Sequence, residues 1–217
     1  CRRQRVELIS ILKQNNPIGL WCVARNKIDE MVQDFLTRTK DDIHDMLCDN
    51  EVDASDSDDI DDDHDDPYYR GLDSNRDTEA EVETALRIFP EVLSRRGGPD
   101  NMYPIQYLAT GCLAVSFIPL LVRLALELGS FEEKERGGLL LEDKHGDNIL
   151  QFLVGDNSDV TYLNVMIQLR QMGVFKKDDI QKYGLVVVLC RCRIMTENRF
   201  RFLVEWDPTS LIQLYEY

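Results

Sequence analysis

The fold is decided by two matching stretches, YPIQYL at residues 103–108 and NILQFL at residues 148–153. In each stretch a Gln is followed by an aromatic residue and a Leu, and the two Gln residues lie 45 positions apart. Each stretch leads to a longer periodic segment, 114–128 or 159–172, that is followed by a glycine. This arrangement predicts an internal repeat of a short helix and a longer antiparallel helix.

A third, weaker copy is LVVVLC at residues 185–190, about 36 residues further along the chain. Its β-branched residues favour a strand on propensity alone. Its position matches that of the short helices, however, so we predict a helix there. The first two copies are preceded by Arg-Gly-Gly at residues 96–98 and 136–138. Two such triplets, each before a helix, indicate loop glycines and not an RNA-binding segment.

Further segments repeat apolar residues at helical spacing, namely 28–36, 82–89 and 200–204. Pro90 and Pro208 follow two of them, where a helix is expected to end. A single short pair of helices cannot bury its own apolar face, so neighbouring pairs stack. The sequence therefore predicts an all-α protein, a helical solenoid of helix–turn–helix repeats.

A family resemblance is carried by residues 18–36, IGLWCVARNKIDEMVQDFL. They resemble the ankyrin repeat, in which a TPLHLAA-type short helix leads through an Asn-Gly-like turn to an EVVKLLL-type helix. Leu20, Ala24 and Asn26 fall on the family's Leu, Ala and Asn. The resemblance implies a second helix in register at the following positions: Glu30, Met31, Val32, Phe35 and Leu36.

The later units resemble the same family. Residues 103–105 resemble its Thr-Pro-Leu, Gly111 its interhelix Gly, and residues 143–146 its finger tip. Gln stands in place of the family's His, and spacings of 36 to 45 residues exceed the family's repeat length. The stretches FPEVLSRRGG, YPIQYLA and RFLVEWDP are similar to a large group of diatom proteins with degenerate ankyrin-like repeats. That resemblance implies a fold and a protein-binding role, and it implies no reaction.

We divide the chain into three parts. Residues 1–48 are predicted to hold N-terminal helices with the first ankyrin-like repeat, and residues 49–75 an acidic, disordered insert. Residues 76–217 are predicted to hold further repeats. FPEVLS at 89–94 and WDPTSL at 206–211 look like equivalent junctions, so we expect the chain to stop inside another repeat.

The negative charge is concentrated in the insert. The formal net charge is −15, and residues 49–66 supply eleven acidic residues without a Lys or Arg. Nucleic acid is a poor partner for such a chain, because phosphate binding requires clustered Lys and Arg. The insert contains no Gly for the sixth position of an EF-hand loop. We therefore interpret it as a self-repelling acidic loop and not as a calcium site.

The sequence also contains one cluster of basic residues, Arg191, Arg193, Arg199 and Arg201. The simplest interpretation is a solvated helix face. The alternative is that the cluster docks the acidic insert, within one chain or between chains. Four aromatic residues are interpreted as packing residues, with a binding hot spot on a concave face as the alternative: Trp21, Tyr103, Tyr107 and Trp206.

The strongest catalytic candidate is His145-Gly146-Asp147, a triplet also found in aminoglycoside-type phosphotransferases. In those enzymes Asp is the base, and an Asn five residues later holds magnesium. Here that position is Phe152, which cannot bind a metal, and no Gly-rich phosphate loop precedes it. We therefore predict a polar turn in which Gly146 supplies a positive φ.

No other cluster suits catalysis, because the three histidines, His44, His64 and His145, pair with no evident nucleophile. We predict no catalytic, cofactor-binding or metal-binding residue and no enzyme activity. The six cysteines lack a zinc or redox spacing, which indicates free thiols in an intracellular compartment, cytoplasmic or nuclear. Residues 112–128 are apolar, but they are too short and too charged for a membrane helix.

The sequence thus predicts a protein–protein interaction or scaffold module whose partner is another, unidentified protein. Neither nucleic acid nor a membrane is expected as a partner, and the oligomeric state stays open. Two alternatives remain, a small-molecule phosphotransferase built on Asp147 and a purely structural segment of a longer repeat array.

Overall fold

The computed structural model describes residues 17–49, 71–111, 113–155, 159–192 and 195–215. Within these residues the chain is all-α, with helices and turns and no strand. An isolated antiparallel bridge joins Gly97 to Met102. The chain divides into two compact units, Cys1–Ile43 and His44–Tyr217. In the described residues, no helix is both long and apolar enough to cross a membrane.

The longest helix is α1, Pro17–Cys48, which continues without a break for 32 residues. The turn predicted at Asn26 is therefore absent, and the helix–turn–helix prediction for residues 18–36 is wrong. The physical reason is local. No Gly or Pro follows Gly19 as far as Cys48, and Lys27 stands where the turn would need a Gly.

The apolar stripe of α1 is helical as predicted, but it is not buried. Ile28, Val32 and Phe35 are 48%, 47% and 67% exposed. Ala24, one turn before Ile28 on nearly the same side of the helix, is buried. Periodicity in this segment thus indicates the type of element correctly without indicating what the apolar face contacts.

The second unit holds eight further helices in its described residues. They are α2 Glu79–Ile88, α3 Pro104–Thr110, α4 Ile118–Leu128, α5 Ile149–Gly155, α6 Asp159–Gln171, α7 Lys177–Lys182, α8 Leu185–Arg191 and α9 Glu197–Trp206. Short 3-10 helices lie at Pro90–Ser94, Val115–Phe117, Glu133–Glu135 and Pro208–Tyr215.

The helix ends follow from local chemistry. A capping box opens α2, where the Thr78 N–H donates to the Glu81 carboxylate at 3.1 Å. Helix α4 ends at Gly129, whose φ of 64° closes the last turn. The helix predicted for residues 185–190 is confirmed as α8, although its β-branched valines favour a strand on propensity.

Helix contacts in the second unit follow two rows. The short helices α3, α5 and α8 contact one another in chain order, and the longer helices α2, α4, α6 and α9 do the same. Each short helix also contacts the longer helix that follows it. Leu108, Leu153 and Leu189 occupy matching positions of the three short helices, and all are fully buried. Burial of each such side chain contributes roughly 1.5–3 kcal/mol.

The repeated Gln makes the same hydrogen bond in both copies. The Gln106 side-chain oxygen accepts the N–H of Tyr103 at 2.9 Å, and the Gln151 oxygen accepts the N–H of Asn148 at 2.9 Å. Each bond satisfies an otherwise unpaired donor at the start of a short helix. The Gln151 amide also donates to the carbonyl of Tyr183 at 3.4 Å, in the connection to the next helix pair.

The polar edge of α4 forms ion pairs with α2. The Arg123 guanidinium lies 2.9 Å from the Glu83 carboxylate and 3.3 Å from that of Glu127. Arg87 of α2 reaches the same Glu127 at 2.7 Å. These side chains remain partly exposed, so they keep one edge of the longer-helix row in contact with water.

Arg199 is fully buried, so the interpretation of the basic cluster as a solvated helix face is wrong for this residue, whereas Arg191 and Arg201 are exposed and Arg193 lies outside the described residues. Its guanidinium donates to the carbonyls of Leu153 and Val154 at 3.3 and 2.9 Å. Its Nε donates to the Thr196 hydroxyl at 2.9 Å. The last turn of α5 offers carbonyls that its own helix cannot satisfy, and Arg199 joins them to α9.

The end of α9 is joined to α7 by a buried carboxylate, Asp207. This side chain accepts hydrogen bonds from the Thr209 hydroxyl and the Gln181 amide, both at 2.6 Å. Burial opposes ionisation, but these hydrogen bonds and nearby Lys177 outweigh it and lower the pKa of Asp207 below the usual 3.8.

The predicted acidic insert, 49–75, lies mostly outside the described residues, at positions 50–70. Its last residues belong to the second unit. Leu72 is buried, and the Ser74 N–H donates to the carbonyl of Leu113 at 3.0 Å.

Candidate functional site

An open groove crosses the row of short helices. Its cavity has a volume of about 340 Å³. Helix α3 contributes Ala109 and Thr110, helix α5 contributes Gln151 and Phe152, and helix α8 contributes Val188. Asp147, just before α5, lies at the rim. We call this surface the short-helix groove.

The groove exists because each short helix is buried on one side only. Leu153 and Leu189 point into the core with no exposed surface, while the residues before them, Phe152 and Val188, are half-buried and line the groove. Thr110 ends α3 with an exposed side chain, and its hydroxyl donates to the Tyr107 carbonyl at 2.9 Å. The apolar residues of α5 and α8 therefore form both the core contacts and an apolar groove wall, which lies beside the polar end of α3.

The triplet at residues 145–147 forms a tight turn at the rim. The Asp143 carboxylate accepts the N–H groups of His145 and Asp147 at 2.7 and 2.9 Å, and the Asp143 N–H donates to the Asp147 carbonyl at 2.8 Å. Gly146 has a φ of 86°, as predicted for this turn. The side chain of Asp147 is exposed. The turn therefore gives a structural reason for Gly146 and for the backbone position of Asp147 in the triplet.

The turn is also joined to the preceding connection. The Lys144 ammonium lies 2.6 Å from the Asp100 carboxylate, so two loops at the same end of successive helix pairs are linked. Across the described ranges, no group of three or more His, Cys, Asp or Glu side chains is arranged to hold a metal ion.

The groove combines an apolar wall with a few hydrogen-bonding groups. Phe152 and Val188 supply the apolar surface, and Thr110, Gln151 and Asp147 supply polar atoms. This composition is typical of a binding site, because apolar area provides affinity and a few polar groups provide orientation. Its chemistry suits a side chain that carries both an apolar part and a donor for the Asp147 carboxylate.

Sequence reasoning missed a buried pair of side chains, His44 and Cys48. The His44 Nε2 atom lies 3.2 Å from the Arg95 carbonyl and 3.7 Å from the Cys48 sulfur. The i, i+4 spacing on α1 is the signal that could have revealed the pair. Burial and the nearby Asp45 raise the pKa of Cys48 to about 12. The thiol therefore stays protonated at neutral pH and is not an activated nucleophile.

The aromatic residues with described side chains act in packing. Tyr107 is buried, and its hydroxyl donates to the Gly97 carbonyl and accepts the Asp100 N–H, each at 2.9 Å. Trp206 packs edge-on against Phe175, with ring centroids 4.9 Å apart. The side chain of Trp21 lies outside the described residues. Tyr103, Tyr107 and Trp206, the members of the alternative hot spot whose side chains are described, do not line the short-helix groove.

Comparison with known proteins gives no relative: no protein-family model matches the chain, and neither curated proteins nor solved structures give a significant match. Function is therefore inferred from the geometry of the helices and the groove.

Proposed function

We propose that the second unit is a solenoid of ankyrin-like helix pairs and that its short-helix groove binds a segment of a partner protein. The proposed pairs are α3 with α4, α5 with α6, and α8 with α9. The role is non-catalytic, and the partner is defined only by its fit to the groove.

The observation that carries this proposal is the order of helix contacts. Short helices contact short helices, and longer helices contact longer helices, in the order of the chain. Such nearest-neighbour packing is typical of solenoids, which present one continuous face made of equivalent elements. The groove follows that face across three successive short helices.

The charge and hydrogen bonding of the groove support binding rather than a reaction. The Asp147 backbone is engaged in the turn with Asp143, and its side chain is exposed at the rim. The phosphotransferase alternative gains no support, because the turn accounts for its motif and Phe152 stands at the metal-binding position. An exposed carboxylate beside Phe152 instead favours a partner side chain that carries an amine or guanidinium.

Selection of peptides from a random display library on the intact protein tests the proposal. Binders should lose at least about tenfold in affinity with Thr110→Arg, because the longer charged side chain would fill the end of the groove. Thr84→Arg is the matched control. Thr84 is also an exposed helical Thr whose hydroxyl donates to a backbone carbonyl, that of Ala80 at 2.7 Å, but it lies on α2 away from the groove.

The proposal predicts that most selected peptides distinguish these two variants and reduce hydrogen exchange in α3 and α5. If the selected peptides bind the two Thr→Arg variants equally and protect other segments, the short-helix groove is not the binding surface.

A further inference from the structure

A second open cavity lies among the connections that follow α4 and α6. Its volume is about 580 Å³, and none of the described residues that line it also lines the short-helix groove. Among the described residues, four cationic side chains line it, Lys134, Arg136, Lys176 and Lys182, and Glu133 is the one acidic lining residue. We call it the basic pocket. This concentration of positive charge is unusual in a chain with a net charge of −15.

Arg136 is held in place at the bottom of the pocket by contacts with two other residues. Its guanidinium forms an ion pair with the buried Asp179 and donates to the carbonyl of Val174 at 3.0 Å. Asp179 also accepts the backbone N–H of Lys176 at 2.7 Å. Arg136 therefore joins the connection after α4 to that after α6, and its charge is largely balanced by Asp179.

The remaining positive charge comes from Lys176 and Lys182. In the part of the chain that the structure describes, neither ammonium lies within ion-pair distance of a carboxylate. Lys182 lies over the ring of Tyr183, 4.9 Å from its centroid. Lys134 is paired with the exposed Glu132 at 2.8 Å, where solvent weakens the attraction. Two cations are thus available to an incoming anion.

Apolar surface lies beside these cations. Leu126, at the end of α4, is 45% exposed, and Val174 and Leu140 also line the cavity. A free inorganic anion would leave this surface in water and would gain little from exposed lysines. A peptide with acidic residues next to an apolar side chain would satisfy the lysines and cover Leu126 together.

From this juxtaposition we infer that the basic pocket binds an acidic segment of a partner protein, one that carries an aliphatic side chain among its carboxylates. The attraction is electrostatic, so it weakens as salt is added. The aliphatic side chain supplies selectivity against other polyanions, because it contacts Leu126 and Val174.

The test uses the full chain and a short fluorescein-labelled peptide with Glu on both sides of a Leu-Leu pair, followed by fluorescence anisotropy. Lys176→Glu/Lys182→Glu should weaken binding at least about tenfold. The matched control, Arg25→Glu/Arg38→Glu, makes the same change of net charge at exposed positions of α1 and should stay within about twofold. Lys176→Gln/Lys182→Gln should give an intermediate loss, and circular dichroism establishes that each variant is folded.

Several results would overturn the inference. Equal losses in the pocket and control variants would assign the binding to net charge alone. A peptide with Ser-Ser in place of Leu-Leu that binds with equal affinity would reduce the pocket to a simple anion site. Full displacement of the Leu-Leu peptide by inorganic phosphate at matched ionic strength would have the same meaning. Binding only after deletion of residues 49–66 would make this chain's own acidic segment the occupant. The outcome is separate from that of the groove, because Thr110→Arg should leave this peptide's affinity unchanged.

Discussion

Replacement of Arg199 by Ala tests how successive helix pairs are held together. Arg199 belongs to α9, but two of its hydrogen bonds reach the end of α5, at the carbonyls of Leu153 and Val154. Truncation would leave both buried carbonyls without this donor. An unsatisfied buried acceptor costs roughly 1–3 kcal/mol. Part of this cost is offset because the variant no longer buries a charged guanidinium.

We therefore expect Arg199→Ala to lower the free energy of unfolding by about 2–4 kcal/mol. Arg201→Ala is the matched control. Arg201 lies two residues away on the same helix, is 60% exposed, and pairs with Glu197 at 2.6 Å. An exposed pair of this kind contributes at most about 0.5 kcal/mol.

Urea unfolding followed by circular dichroism measures both variants. Arg199→Lys should fall between wild type and Arg199→Ala, because it keeps the charge but loses the planar set of donors. If Arg199→Ala costs no more than Arg201→Ala, the hydrogen bonds from α9 to α5 do not stabilise the fold.

Three further predictions concern single residues. Gly137→Ala should destabilise the protein by about 1–3 kcal/mol in urea unfolding, because φ is 67° and the added Cβ would lie 2.7 Å from the Val122 carbonyl oxygen; wild-type stability would refute this. Asp207→Asn should have a lower free energy of unfolding than wild type at neutral pH. This difference should disappear as the pH falls below 3.8, because the interactions that lower the pKa of Asp207 stabilise only its ionised form in the folded protein; a difference that does not change with pH would contradict the assigned ionisation. In maleimide labelling read by mass spectrometry, exposed Cys190 should react before Cys48, whose thiol is buried with a pKa of about 12; the reverse order would contradict the burial of Cys48.

Local sequence patterns predicted most helices of the second unit correctly. The apolar residues at 82–89 correspond to α2, and the segments before Gly129 and Gly173 correspond to α4 and α6. The repeated Gln was also informative, since Gln106 and Gln151 make equivalent bonds at the start of their short helices. These features are visible because periodicity and stop residues act over a few neighbouring positions.

Features that depend on distant contacts were not predicted. Arg199 looked like part of an exposed cluster, because nothing near it in sequence shows that the free carbonyls of α5 lie beside it. The apolar stripe at Ile28 and Phe35 looked like a core face, although both side chains are exposed. The basic pocket was missed for the same reason, since Lys134 and Lys182 come from different connections.

The proposed linear stack of helix pairs fixes the distance between α3 and α8. Spin labels at Thr110 and Cys190, with the other cysteines replaced, report this distance through their dipolar coupling in electron paramagnetic resonance spectra. Helix α5 contacts both helices, so a linear stack predicts two helix spacings, about 16–20 Å between the helix axes. A separation of about 8–10 Å, one spacing, would mean that α3 packs directly against α8 in a closed bundle and would contradict the account.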